Sequence, residues 1–292
     1  VPFSFLYGNK KAFKQLALFI GRTELPNSII LRGPEGVGKF TACLELVRRV
    51  NCTGDREHAC RCESCLKLLR GISPNRLAFS GKITHAELRE LQAKLGMRVG
   101  VGHRFVVLRA ENLERSAQDM FLKTIEEPAE KTTFLITSSR ANLNRTVISR
   151  SFSINFTSCT SEELADFVMG DKMALKLFSG FAKEDATMLL VLAAGSPGVL
   201  VRLLSDPTVK VKLAQVRAFF SGIVKPEFFR QIEGLGEEDL AWMVRSMAMA
   251  RLQGLDVVKV SESWAKVLVD RLVPKKFYPV KWRIMSLYME AH

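Results

Sequence analysis

The run Gly33-Pro34-Glu35-Gly36-Val37-Gly38-Lys39 constrains this chain more than any other stretch of it. It follows a short apolar segment, Ser28-Ile29-Ile30-Leu31, that reads as a buried strand, and it opens a segment with helical periodicity. Strand, glycine-rich turn, lysine and helix in that order are the context a phosphate-binding loop requires. Glycines let backbone N–H groups converge on phosphate oxygens, the helix N-terminus adds positive potential, and Lys39 adds a point charge. The alternative, a plain glycine turn, accounts for neither the spacing nor the lysine.

The pattern around the loop extends the argument to a parallel α/β sheet. Phe105-Val106-Val107-Leu108, Thr133-Phe134-Leu135-Ile136 and Phe152 to Phe156 read as three further strands. Thr84-His85-Ala86-Glu87 has the form of a capping box and predicts a helix through Leu88, Leu91 and Leu95. Ser116 to Glu126 predicts another, stopped before Pro128. After Phe156 the strands run out. Residues 158–205 predict a small helical unit containing the turn Gly195-Ser196-Pro197-Gly198. Residues 206–292 again read as helices, with Leu213, Val216, Phe219 and Phe220 at helical spacing and a late run of Ile284, Leu287 and Tyr288. The expected organisation is therefore an α/β phosphate-loop domain over 1–157, a helical unit over 158–205 and an all-α unit over 206–292.

Charge separates these blocks. The formal net charge of +13 divides as +11 for residues 1–157, −2 for 158–205 and +4 for 206–292. A basic first block favours a polyanionic partner, nucleic acid or nucleotide, with a Lys/Arg-rich surface as the alternative that charge alone leaves open. The longest apolar stretch, Met188 to Ala194, is too short to cross a bilayer. No charged segment followed by an apolar core and cleavage site opens the sequence, so a cytoplasmic location is expected.

Two positions needed for Mg²⁺-dependent hydrolysis are damaged. The residue after the loop lysine supplies a hydroxyl to the metal in working phosphate loops, and here it is Phe40. Thr41 lies one helical step on, rotated by about 100°. An acid is also needed at the end of a central strand, followed by one that polarises water. That strand here reads Val106-Val107-Leu108-Arg109-Ala110-Glu111. A guanidinium at this edge repels a divalent cation, by about 4 kcal/mol per unit charge at 4 Å and an effective dielectric of ~20. Glu111 is the remaining acid in reach, with a helix-surface role as the simpler reading.

Several ordered motifs together resemble one family. Leu25-Pro26-Asn27-Ser28-Ile29-Ile30-Leu31 ahead of the loop, Phe121-Leu122-Lys123-Thr124-Ile125-Glu126-Glu127-Pro128, and Thr146-Val147-Ile148-Ser149-Arg150-Ser151 are similar to the AAA+ domain of bacterial clamp-loader subunits, the gamma/tau and delta-prime relatives. The resemblance spans residues 3 to about 202. It implies an AAA+ sheet domain, a helical lid and a C-terminal collar that oligomerises. Gly33, Gly36, Gly38, Lys39 and Thr41 become a degenerate nucleotide loop. Leu108 stands where the metal-binding Asp belongs, Arg109 where the catalytic Glu belongs, and Thr137 at sensor 1. Ser149 and Arg150 fall in the segment whose arginine acts as a finger on ATP held by the adjacent subunit; the alternative is that Arg150 merely binds an acidic neighbour. In other NTPases such a finger is worth ~10³–10⁵ in rate.

Gly195-Ser196-Pro197-Gly198 resembles the delta-prime branch, since gamma/tau subunits carry an arginine where Gly198 stands. The resemblance thus implies a hydrolysis-deficient subunit that assembles with gamma/tau and delta, loads the sliding clamp on primed DNA and contacts the clamp mainly indirectly. The resemblance is compatible both with ATP or ADP held without turnover and with an empty loop. The competing reading is a divergent gamma/tau-type ATPase that uses Thr41 and Glu111.

Cys52, Cys60, Cys62 and Cys65 follow the first loop helix as C-x7-C-x-C-x2-C. Four clustered cysteines in a cytosolic chain read better as thiolate ligands of tetrahedral Zn²⁺ than as disulfides. The family carries a zinc knuckle here with one more residue in each of the first two gaps. The Cys-x-Cys step is cramped for two ligands on one metal, so His58 is an alternative ligand and free thiols an alternative state. A nucleic-acid-binding zinc module is a third reading, weakened by the absence of aromatic residues for stacking on bases. Cys43 and Cys159 are isolated and expected in the core.

Overall fold

In strands 28–32, 104–109 and 132–138 side chains point alternately to two faces, and both faces are apolar, which is how a parallel sheet covered by helices on either side reads. The computed structural model describes residues 6–56, 60–79, 81–96, 102–139, 143–211 and 213–214. These fall into two compact units. One runs to Phe167 and takes in Gly195–Val199; the other comprises Val168–Ala194 and the described residues from Leu200.

The first unit contains, in chain order, α1 (Lys10–Ala17), β1 (Ser28–Arg32), α2 (Lys39–Val50), α3 (Glu63–Leu69), β2 (Arg76–Ala78), α4 (His85–Leu95), β3 (Arg104–Arg109), α5 (Gln118–Glu126), β4 (Thr132–Ser138), α6 (Arg145–Ser149) and β5 (Phe152–Asn155). The sheet order is β2-β3-β4-β1-β5, and every pairing is parallel. Ile29, Leu31, Phe105, Val107, Leu135 and Ile154 face a core shared with α1 and α2. Ile30, Val106, Leu108, Phe134 and Ile136 face a second core, completed by residues of α4, α5 and α6. Thr84 caps α4 as the sequence predicts, its hydroxyl accepting from the Glu87 amide while the Glu87 carboxylate accepts from the Thr84 amide at 2.6 Å.

The sequence predicts four strands, and the structure adds a fifth, β2. Three residues of mixed polarity carry no readable period, and their strand conformation comes from pairing with Phe105, Val106 and Val107 of β3. Arg104, almost fully buried, donates to the carbonyls of Lys94 and Leu95, which satisfies the open C-terminal end of α4.

Helix α7 (Ser161–Gly170) begins in the first unit, with Thr160 and Glu163 closing a second capping box. The second unit contains α8 (Lys172–Phe178), whose Asp171 side chain accepts from the Ala174 amide at 2.8 Å, and α9 (Lys183–Ala193). Helix α10 (Pro197–Ser205) starts in the first unit and continues into the second. Val209 and Leu213 are buried, but most of the helical block expected over 206–292 lies outside the described residues. No helix among the described residues is long and apolar enough to cross a membrane.

Candidate functional site

The phosphate loop sits where β1 ends and α2 begins, at the C-terminal edge of a parallel sheet, the edge on which ligands bind in open α/β folds. Gly36 and Gly38 have φ of 74° and 94°, backbone that L side chains rarely adopt. Lys39 is 5 % exposed. Its ammonium donates to the carbonyls of Gly33 (2.7 Å) and Pro34 and to the Ser139 hydroxyl (3.0 Å). Burial holds its pKa below the usual lysine value, with Glu111 and Glu35 opposing the shift.

The turn Gly195-Ser196-Pro197-Gly198 closes directly onto this loop. The Ser196 hydroxyl donates to the Glu35 carbonyl at 2.8 Å, and the Gly198 amide donates to the Gly36 carbonyl at 2.8 Å. A Cβ built on Gly198 would lie 2.9 Å from that carbonyl oxygen and 3.0 Å from the Gly36 Cα. Backbone therefore occupies the place where a side chain at 198 would have to leave the helix.

The two positions read as damaged in the sequence meet in space. Phe40, 38 % exposed, has the Arg109 guanidinium carbon 5.8 Å from its ring centroid, within reach of a cation–π interaction. Leu108 is buried in the core, so the strand end offers no carboxylate there. Glu111 accepts from the Ser139 amide at 2.6 Å, and Ser139 in turn accepts from Lys39. This acid braces the loop after β4. Thr41 is exposed on α2. Thr137 is buried in β4, in register with Leu31 and Arg109. The Phe40–Arg109 contact joins positions far apart in the chain, and nothing in the sequence signals it.

Arg150 follows α6 and is 45 % exposed. Its Nε pairs with Glu126 Oε1 and its Nη1 donates to the Thr146 carbonyl at 3.4 Å. The backbone beneath it is tied down. The Ser28 hydroxyl lies 3.3 Å from the Arg150 carbonyl and 2.7 Å from the Ser151 hydroxyl, and Ser151 donates to Val147 at 2.7 Å. Ser149 is exposed and donates to the Thr146 carbonyl at 3.0 Å. Glu126 was not singled out in the sequence, because its helix and Arg150 are brought together only by the fold.

The four cysteines form a single cluster. Their sulfurs all lie within 4.8 Å of one another, with Cys52 at 3.5 Å from Cys60 and 3.8 Å from Cys62. Four sulfurs at about 2.3 Å from a tetrahedral zinc ion stand about 3.8 Å apart, so the donor set fits that metal, Cys-x-Cys step included. Gly54 makes room: a Cβ there would come within 2.8 Å of Cys60 Sγ. Hydrogen bonding from the Thr53 side chain, with backbone amides of Cys65 and Thr53, holds Cys62 down to about 5, whereas burial pushes Cys65 up to about 12. His58 lies outside the described residues. Cys43 and Cys159 are both buried and away from this cluster. Arg48, which donates to Cys65 Sγ, was missed in the sequence. Its spacing from Glu45 marks a helix pair, but not one that is buried.

Several known proteins are similar to this one. A DNA polymerase III gamma subunit-related protein from Thermotoga maritima superposes with a TM-score of 0.53 at 17% identity, covering 95% of this chain and 98% of that one. Two mutant forms of Thermotoga maritima RuvB give 0.46 and 0.45 at 15% identity, covering 86% and 92% of this chain and 84% and 97% of theirs. The first likeness shows a shared fold: a parallel five-stranded phosphate-loop sheet with flanking helices. No curated protein matches the sequence. The family model described as DNA polymerase III, delta subunit, matches residues 8–160, just over half of the chain and nearly all of the sheet unit. The chain belongs to the DNA polymerase III delta subunit family.

Proposed function

We propose that this chain is a delta-prime-type, hydrolysis-deficient subunit of a bacterial clamp loader. In this reading residues 1–157 are an AAA+ domain, 158–205 a lid and 206–292 a collar through which it assembles with gamma/tau and delta subunits. The single observation that carries it is the Phe40–Arg109 contact. An aromatic ring stands where a hydrolysing relative offers a hydroxyl to Mg²⁺, and a guanidinium stands where it carries the catalytic carboxylate, beside Leu108 at the metal-binding position; a fixed cation there opposes Mg²⁺. The closing of Ser196 and Gly198 on the loop supports the same reading, because the backbone contact leaves no room for an arginine that senses nucleotide.

With its own hydrolysis gone, the chain's chemistry lies in what it presents to a neighbour. Arg150 is exposed, always charged and mounted on a backbone tied to β1 through Ser28 and Ser151. That is what a guanidinium needs to meet a phosphoryl group on an adjacent subunit. Exchanging the Glu126 carboxylate for phosphate oxygens is inexpensive, since an exposed pair of this kind contributes about 0–1 kcal/mol. The cysteine cluster holds a structural zinc ion, and the basic AAA+ domain contributes sequence-blind phosphate contacts to primed DNA within the assembled loader.

The test is ATP hydrolysis by the purified chain with Mg²⁺, alone and then mixed with gamma/tau and delta subunits, clamp and primed DNA. The proposal expects no turnover alone and entry into an active complex. Mg²⁺-dependent turnover by the isolated chain, abolished by Lys39→Ala, would instead favour a divergent ATPase.

A further inference from the structure

We propose that Arg48 is a positioning residue of the cysteine site, donating a hydrogen bond to a metal-bound thiolate at Cys65 while Glu45 fixes its orientation. The inference rests on the reading of Cys52, Cys60, Cys62 and Cys65 as a zinc site, and it assigns a role to a side chain outside the four ligands.

Arg48 belongs to α2, yet its guanidinium is where the separate pieces of the cysteine site meet. Nη1 lies 3.5 Å from Cys65 Sγ, on α3. Nη2 donates to the Arg56 carbonyl at 3.4 Å, in the loop that joins Cys52 to Cys60. Nε and Nη2 each donate at 2.7 Å to the two oxygens of Glu45, one helical turn earlier. The side chain is 5 % exposed and Glu45 4 %. A buried guanidinium so gripped has one orientation, and in that orientation one arm reaches sulfur.

The chemistry gives that arm a purpose. Four thiolates around one dication leave a net negative group, and each thiolate keeps lone pairs to satisfy. A charge-assisted N–H donor at Cys65 withdraws electron density from its sulfur and holds the thiolate where the metal needs it. A planar fork can grip a carboxylate with two donors and still offer a third; a lysine ammonium, a single point of charge, cannot span both partners. Of the four cysteines Cys65 is the most buried, so it has the least water available to do this.

The experiment uses the full-length protein loaded with zinc and, separately, with cobalt. Metal content of the wild type comes first, then the rate of zinc transfer to a chelator, and finally the energy of the sulfur-to-cobalt charge-transfer absorption. Arg48→Gln should release zinc about 10- to 100-fold faster, the range for loss of such outer partners. Its charge-transfer band should move to lower energy, because the sulfur lone pair loses its donor. Arg48→Lys should fall between the two. A wild type that binds neither metal overturns the zinc reading together with this one. A metal-loaded, folded Arg48→Gln with unchanged release rate and unchanged band overturns the role of Arg48 alone. If neither variant folds, cadmium-loaded wild type decides: coupling across the hydrogen bond between cadmium and Arg48 Nη1 supports the assignment, and its absence overturns it.

Discussion

Replacing Gly36 by alanine tests how tightly the segment 196–199 closes on the phosphate loop, and Gly38 provides the control. Both glycines have positive φ, 74° and 94°, so alanine at either pays a left-handed backbone cost of ~1–2 kcal/mol, partly offset by a stiffer unfolded chain worth ~0.4–1 kcal/mol. At Gly38 that is all, because an added Cβ meets nothing within 4 Å. At Gly36 the Cβ would lie 2.3 Å from Ser196 Oγ and 2.9 Å from the Val199 amide nitrogen. Turning Ser196 away loses its bond to Glu35, about 1 kcal/mol, and displacing the backbone at Val199 adds ~1–3 kcal/mol of overpacking. Gly38→Ala should therefore destabilise by about 1 kcal/mol and Gly36→Ala by about 3–5 kcal/mol, the sums of those terms. Urea denaturation followed by far-ultraviolet circular dichroism compares them. In the double variant with Ser196→Gly, about 1 kcal/mol of the Gly36→Ala loss should be absent, since the two residues touch. Equal losses at the two glycines would refute the reasoning, because the closure would then contribute nothing.

Other consequences are simpler to state. His103 is held down to about 4, first by burial and then by Lys131. The fold therefore stabilises the neutral ring, a contribution complete above the unfolded value of 6.5 and lost as pH falls towards 4; the full shift corresponds to about 3 kcal/mol, which solvent screening of the partly exposed ring reduces to on the order of 2 kcal/mol. His103→Gln should remove that part of the acid sensitivity, seen as a smaller stability difference between neutral and mildly acidic pH in denaturant titrations. Glu126→Ala should change stability by less than ~1 kcal/mol, because its pair with Arg150 is exposed. Phe40→Ser alone should not restore Mg²⁺-dependent nucleotide binding, measured calorimetrically, because Arg109 and the buried Leu108 still deny the metal its second anchor.

How far the sequence discloses this molecule depends on how local each signal is. The phosphate loop, the four longer strands and the capping box at Thr84 are legible because strand period, glycine spacing and cap chemistry reside in contiguous residues. β2 is not, because Arg76-Leu77-Ala78 becomes a strand only by pairing with β3. The candidate sites divide the same way. Lys39 and the cysteines announce themselves by spacing, whereas the partners that define their environment come from elsewhere: Ser139 and Gly33 for Lys39, Arg48 for Cys65, Glu126 for Arg150. Phe40 and Arg109 each read as a defect when taken alone. Only the fold shows the ring and the guanidinium against one another.

The central claim is that this subunit hydrolyses nothing itself and lends Arg150 to a neighbour. Single-turnover ATP hydrolysis by the reconstituted loader, with clamp and primed DNA, tests it when wild type is compared with Arg150→Ala and assembly is checked by gel filtration. The account predicts a complex that assembles normally while hydrolysis at the site facing this subunit slows by about 10³-fold or more. An assembled Arg150→Ala complex that turns over ATP at the wild-type rate at every site would contradict it.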